Sequence, residues 1–146
     1  MTSIAIRALT IGAAAAIVGA AGASPAGAVG DSDFQLAVGR AAATGSYELV
    51  MSIPERPVPP VAVRGTLTTN GRNGCAVVQL AANGPADEII WPTLTHLCGP
   101  GATDFQARSS YLFGGAKPPL RLCVGPTVAT AESGRRCDVY TPSPDL

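Results

Sequence analysis

The alternation of apolar and polar residues along this chain predicts an all-β protein, a single-domain antiparallel β-sandwich with two disulfides, with a small β-barrel as the second choice. Three observations predict it. The apolar pattern has period two in run after run. No window of a dozen residues carries a 3.6-residue apolar stripe. Finally, most of the 13 prolines and 17 glycines fall between the alternating runs, where turns belong.

The first 28 residues read as a secretory signal peptide. Arg7 precedes the apolar stretch Ala8–Ala23, and Ser24-Pro25-Ala26-Gly27-Ala28 supplies the small residues that a signal peptidase accepts. Pro25 ends the apolar helix before the cleavage point. The apolar run falls short of the roughly 20 residues that span a bilayer, and its Ala and Gly contribute little apolar area. Cleavage is expected after Ala28, with Ala23 the weaker alternative. Removing 28 of the 146 residues leaves 118, Val29 to Leu146, the length of one domain.

In the mature segment, Phe34-Leu36-Val38 opens the pattern. Tyr47, Leu49, Met51 and Ile53 then alternate with Glu48 and Ser52. Val61, Val63 and Leu67 alternate with Arg64, Thr66 and Thr68. Ala76-Val78-Leu80, then Phe105, Ala107, Tyr111 and Phe113, and last Leu120-Leu122-Val124 repeat the motif. Each reads as a strand with one apolar face. Thr69-Asn-Gly-Arg-Asn-Gly74 carries two Asn-Gly pairs between alternating runs and predicts a hairpin. Asn83–Asp87, Gly99–Thr103 and Gly114–Pro119 read as loops. Pro54–Pro60 has too few amide hydrogens for a ladder and reads as an extended connection.

Cys75, Cys98, Cys123 and Cys137 are even in number and lack the close pairs of zinc sites, so two disulfides are expected and no metal. The local pairing, Cys75–Cys98 and Cys123–Cys137, closes the smaller loops; each bond would stabilise the fold by ~3 kcal/mol. The second pairing raises a difficulty. In a regular hairpin Leu120, Leu122 and Val124 would face Tyr140, Asp138 and Arg136, setting an apolar face against a largely polar one. A bulge near Gly125-Pro126, or strands that are not neighbours, would remove it.

The charge balance excludes two partner classes. The mature chain keeps nine basic and ten acidic residues, for a net charge of −1. It therefore lacks the concentrated positive field that nucleic acid or an anionic membrane requires. The bias toward Ala, Gly, Pro and Arg is that of a high-GC, actinobacterial type of genome.

Signals of chemistry are sparse. His96 is the only histidine, and no Gly-x-Ser-x-Gly elbow accompanies it. Trp91, the only tryptophan, is flanked by Ile89, Ile90 and Pro92 and reads as core before ligand platform. Phe34, Tyr47, Tyr111 and Phe113 fit core stripes. Trp91 and His96 are the candidate binding residues; no catalytic residue is assigned. Asp87 and Glu88 are adjacent and point to opposite faces of a strand. A remote carboxylate pair, Glu48 or Glu132 with Asp104, is the form a glycosidase would take here. Arg135-Arg136 and Arg108 could form a small basic spot. No cofactor motif occurs, neither a calcium loop nor a glycine-rich phosphate loop.

In size, export and cysteine count the chain resembles secreted bacterial subtilisin inhibitors, which insert a disulfide-held loop into a protease. Their reactive loop starts in a Cys-Pro-x-x-Tyr-like context, and no cysteine here precedes a proline. Arg56 in Pro54-Glu-Arg-Pro57 would be the residue offered to a trypsin-like protease, with Pro57 hindering cleavage. The expected function is that of a secreted, extracellular, monomeric β domain that is non-catalytic and binds a protein, glycan or cell-wall component. A small hydrolase using carboxylates or His96, and a protease inhibitor, are the alternatives.

The exported protein should begin at Val29. Intact-mass spectrometry of culture medium checks this, and a full-length chain in the membrane fraction would contradict it.

Overall fold

The computed structural model describes residues 31–51 and 59–144. The segment expected to be a signal peptide, the Pro54–Pro57 segment with Arg56, and Ile53 lie outside the described residues.

Eight strands form two antiparallel four-stranded sheets. In the first sheet the order is β1 (Asp31–Val38), β2 (Ala41–Leu49), β3 (Val61–Thr69) and β8 (Gly101–Ser109). In the second it is β10 (Cys137–Tyr140), β9 (Leu120–Gly125), β4 (Cys75–Leu80) and β7 (Thr93–Cys98). A two-stranded ribbon, β5 (Ala82–Asn83) with β6 (Ile89–Ile90), projects between β4 and β7. The short helix α1 (Val128–Glu132) lies between β9 and β10.

The inner faces are the apolar stripes of the sequence. Phe34, Leu36, Tyr47, Val61, Val63, Leu67 and Phe105 of the first sheet meet Ala76, Val78, Leu80, Leu120 and Leu122 of the second in one buried cluster. At the middle of the first sheet one cross-strand row reads Phe34, Gly45, Gly65, Phe105. The two rings close over the paired glycines, with centroids 6.3 Å apart. A Cβ at Gly65 would run into the Thr44 carbonyl and stand 2.9 Å from the Phe105 ring and 3.1 Å from that of Phe34. Gly45 has no more room, because the Arg64 carbonyl and the Gly65 Cα occupy the space of its missing side chain.

The Asn-Gly segment is not a hairpin. β3 pairs with β2 and β8, whereas β4 pairs with β7 and β9, so residues 70–74 carry the chain from one sheet to the other. A type I′ turn needs positive φ at both central residues, and neither asparagine has it; only Gly74 does, at 100°. The loop is tied elsewhere instead, Asn70 N donating to the Arg40 carbonyl at 3.2 Å and Gly71 N to Thr69 Oγ1.

β9 and β10 are neighbours in regular register, Cys123 opposite Cys137, Leu122 opposite Asp138 and Leu120 opposite Tyr140. The mismatch expected of this pairing disappears for two reasons. Tyr140 is a core aromatic, 5.8 Å from both the Phe34 and the Tyr47 rings. Asp138 lies where the edge strand β10 approaches β1, the edge of the other sheet, and its Oδ2 accepts a hydrogen bond from Ala37 N at 2.8 Å. The carboxylate satisfies an amide that the edge position leaves without a ladder partner.

Both disulfides form as expected, Cys75–Cys98 joining β4 to β7 and Cys123–Cys137 joining β9 to β10. Each ties one edge strand of the second sheet to its inner neighbour. α1 covers the outer face of that sheet, where buried Ala131 packs with Val77 and Cys123. Thr127 caps the helix, its hydroxyl accepting from Thr130 N at 3.2 Å. Five residues are too few for a periodic stripe, so pattern reading passes over this helix.

Three apolar assignments change. Tyr111 and Phe113 lie beyond the end of β8, 38% and 47% exposed, and Met51 is 93% exposed beyond β2. Strand pairing ends at Ser109 and Leu49, so alternation further along orients nothing. Tyr140, outside every stripe marked in the sequence, packs against the core.

Tyr47 is fully buried and donates its hydroxyl proton to the Pro118 carbonyl at 3.1 Å. Burial, with the Tyr140 and Tyr111 phenols as lesser causes, pushes its pKa well above the ordinary value.

Two outcomes test this packing. Gly65→Ala should lower stability by about 1–3 kcal/mol, the cost of overfilling a close-packed site, read as a lower urea midpoint at unchanged slope. Tyr47→Phe should cost about 1 kcal/mol at neutral pH through the lost hydrogen bond. In the wild type the phenol ionises more readily once unfolded. Stability from this group is therefore complete below about pH 10 and lost as pH rises above it. Denaturant titrations from pH 8 to 11 should show the gap between wild type and Tyr47→Phe narrowing above pH 10.

Candidate functional site

The two residues singled out by sequence lie on the outer face of the second sheet, at its β7 edge, but do not form one site. His96 stands opposite Val77, exposed, with no hydrogen-bond or ionic partner among the described residues. Trp91, just before β7, is half-buried outside the core, a correction to its expected place. Its ring is covered by the Arg121 guanidinium, 4.0 Å from the centroid.

A directed chain of hydrogen bonds extends from that stack. Arg121 Nε donates to Gln79 Oε1 at 2.8 Å, Gln79 Nε2 donates to the Trp91 carbonyl at 2.9 Å and to Thr93 Oγ1 at 3.3 Å, and Thr93 donates to Glu132 Oε1 at 2.8 Å. Gln79 is the only buried amide side chain among the described residues, and both ends of its amide are satisfied, as burial demands. Gly134, at φ 71°, lies so close that a Cβ there would stand 2.6 Å from Arg121 Nη1. Partial burial lowers the Arg121 pKa. The chain ties α1, β4, β7 and β9 together, and Arg121 already occupies one face of the indole.

The carboxylates considered for hydrolysis are held apart. Glu48 and Asp104 lie on the outer face of the first sheet, Glu48 paired with Arg64 and Asp104 accepting from Thr66 Oγ1 at 2.7 Å. Glu132 is on α1, over the outer face of the opposite sheet, bonded to Thr93. Asp87 and Glu88 are in the turn of the β5–β6 ribbon, where Glu88 Oε2 accepts from Ala86 N. Among the described residues no group of three or more His, Cys, Asp or Glu could hold a metal ion.

A concavity among the described residues lies elsewhere. At one end of the sandwich a cleft of about 640 Å³ opens between the β1–β2 turn, the 70–74 crossover and the α1–β10 turn. Its walls carry Arg40, Arg135 and Arg136, and no acidic residue lines it. The Arg136 guanidinium reaches the β1–β2 turn, its Nη2 3.5 Å from where a Cβ of Gly39 would stand. Arg108, expected beside Arg135-Arg136, is instead opposite Ala62 on the outer face of the first sheet. Sequence reasoning missed Arg40, because only the pairing of distant strands brings its turn to the other two arginines.

A second surface feature lies beside the ribbon. The Asn83 amide donates to the Tyr111 carbonyl at 3.0 Å and accepts from Phe113 N at 2.9 Å; Tyr111, Phe113, Ile89 and Ile90 are all exposed.

No protein-family model, curated protein or solved structure matches this chain.

Proposed function

We propose that the chain is a secreted, non-catalytic binding domain that works outside the cell on a glycan, a protein or a cell-wall component. The observation that carries this reading is the placement of the acid–base groups. Glu48 and Asp104 lie on one outer face of the sandwich and Glu132 over the other, each already engaged in a structural contact. Two carboxyl groups that hydrolyse a glycosidic bond stand roughly 5–10 Å apart on either side of it. A pair drawn from opposite faces cannot do so, and Glu48 and Asp104, on the strands either side of β3 and opposite Ala62 and Thr66, are rooted ~13 Å apart along it. His96 stands alone on an open edge strand, without the nucleophile and orienting group that a triad needs.

Export is supported by the disulfide pairs, which persist in oxidising compartments. Among the described residues no helix is long and apolar enough to cross a membrane. The edges of the second sheet are stapled covalently, which suits a scaffold that presents surface without rearranging.

The test is a screen of the purified protein against chromogenic glycosides, esters and peptides, alongside retention on immobilised polysaccharides and cell-wall fractions. Retention without turnover is expected. His96→Gln should be folded by circular dichroism and should behave as the wild type. Turnover that falls about 100-fold in folded His96→Gln, the order of a general acid–base contribution, would place the protein among the hydrolases instead.

A further inference from the structure

We propose that the arginine-lined cleft is an oxyanion-binding site, and that its ligand is a small sugar bearing a phosphate or sulfate monoester. The inference rests on the binding-domain reading above and names the site and ligand chemistry within it.

Charge carries the argument first. Arg40 comes from the β1–β2 turn, and Arg135 and Arg136 from the α1–β10 turn. Among the described residues none of their guanidinium groups meets a carboxylate. In a chain whose mature net charge is −1, three arginines lining one cleft without a counter-charge are not a consequence of composition. Arginines that only solvate a rim gain by spreading apart. Here Arg136 lies over Gly39, next to Arg40. Gathering like charges costs free energy that an anion between them would recover.

Geometry carries it next. The guanidinium is a planar fork that matches two oxygens of a phosphate or sulfate at once, and forks from two separate turns can grip one group from two sides. The cleft volume of about 640 Å³ lies within the roughly 300–1,000 Å³ of small-molecule sites. Beyond the arginines, Asn73 lines the cleft with its amide and Thr69 and Thr130 with hydroxyls that each already hold one bond within their own turn, to Gly71 N and to Thr127, while Val124 and the buried Ala41 and Ala76 make its apolar part. Hydroxyls and an amide beside small apolar side chains suit the alternating OH and CH groups of a sugar ring. A bare inorganic anion would leave them unused. The basic surface is confined to one open cleft at an end of the sandwich and is not a stripe, so it fits a single charged group rather than a nucleic-acid backbone.

The turns are already shaped for this. The Arg40 carbonyl accepts from Asn70 N, and the Arg136 carbonyl from Val124 N at 3.0 Å. The backbones of both arginines are thus fixed, while their side chains stand exposed at the cleft wall.

The test is an NMR titration of the isotope-labelled purified protein with glucose 6-phosphate, glucose 6-sulfate, glucose and inorganic phosphate at low salt. Saturable amide shifts confined to residues 39–41, 69–76, 124–126 and 130–136 are expected with the two esters, weakening as salt is added. Glucose and inorganic phosphate should each bind at least about 10-fold more weakly. The two esters are told apart by pH: the phosphate, whose second pKa is about 6, should bind more tightly at pH 7.5 than at pH 5, and the sulfate equally at both. The double variant Arg40→Gln/Arg136→Gln should lose about 10-fold or more in affinity, the scale of one lost charge-assisted pair. Arg108→Gln, of equal charge change per site, should stay within about 2-fold. Thermal melts establish that each variant is folded, and Arg136→Lys, which keeps the charge but not the fork, gives a second reading if the double variant is not. Absence of saturation, equal binding of glucose, or an equal loss in Arg108→Gln would overturn the cleft assignment and leave the binding-domain reading standing. Release of phosphate from glucose 6-phosphate in the same samples would overturn the binding-domain reading itself.

Discussion

The contact between Phe34 and Phe105 across the Gly45–Gly65 pair governs the first sheet. Two large rings from its outer strands can meet only because the two strands between them carry no side chain in that row. The arrangement fixes register. A one-residue slip of β2 or β3 would turn its whole apolar set to solvent and bring Thr44, Ser46, Arg64 or Thr66 beneath the rings. Glycine in a strand interior costs conformational entropy and offers nothing to pack; here the rings lie over the bare backbone and restore the lost burial. From this row the rest of the core is layered, with Tyr140 of the second sheet set against Phe34 and Tyr47.

The second sheet obeys a different constraint. Its edge strands are short, four residues in β10 and six with a bulge in β7, and short edges fray. Each is bound by a disulfide to the strand inside it, so the loss of pairing is limited by a covalent link instead of by more hydrogen bonds. The other edge device is Asp138. A carboxylate on the inner side of β10 would be an error if that strand faced only the core. Because β10 approaches the edge of the first sheet, the same carboxylate closes the gap between sheets by taking the Ala37 amide.

These constraints explain what could be read from the chain. The inner-facing apolar residues of β1, β3, β4 and β9 recur at every second position on strands held on at least one side, so period two reports their faces directly. The cysteine pairing was legible because adjacent strands oppose their cysteines. Where pairing stops, alternation lost its meaning, as for Met51, Tyr111 and Phe113. Asn70-Gly71 and Asn73-Gly74 misled for a related reason: an Asn-Gly pair favours a tight turn but does not say whether the strands it joins lie in one sheet or two. Trp91 looked like core from its Ile and Pro neighbours; its neighbour in space, Arg121, is thirty residues away and lies across β4. The arginine cleft was the least legible feature. Arg40 and Arg136 are nearly a hundred residues apart, and what unites them is that the β1 and β10 edges lie against each other.

That edge contact has a consequence for the cleft. The Asp138 hydrogen bond to Ala37 lies two residues from Arg136 on one strand and three from Arg40 on the other, so it holds the roots of both arginines at a set separation. Cys123–Cys137 fixes β10 beside β9 one residue further along, next to the Val124–Arg136 hydrogen bond. The bonds that stabilise the sheet edges are therefore the ones that position the basic groups. A ligand entering the cleft has only flexible side chains to order, not a backbone, and the ordering cost that weakens association is correspondingly small. The carboxylate at Asp138 also bears on specificity. It is the nearest acid in sequence to the arginine pair, yet it is committed to the Ala37 amide and lies outside the lining of the cleft. By drawing that charge into a backbone bond, the edge contact leaves the guanidinium groups to whatever anion the cleft admits.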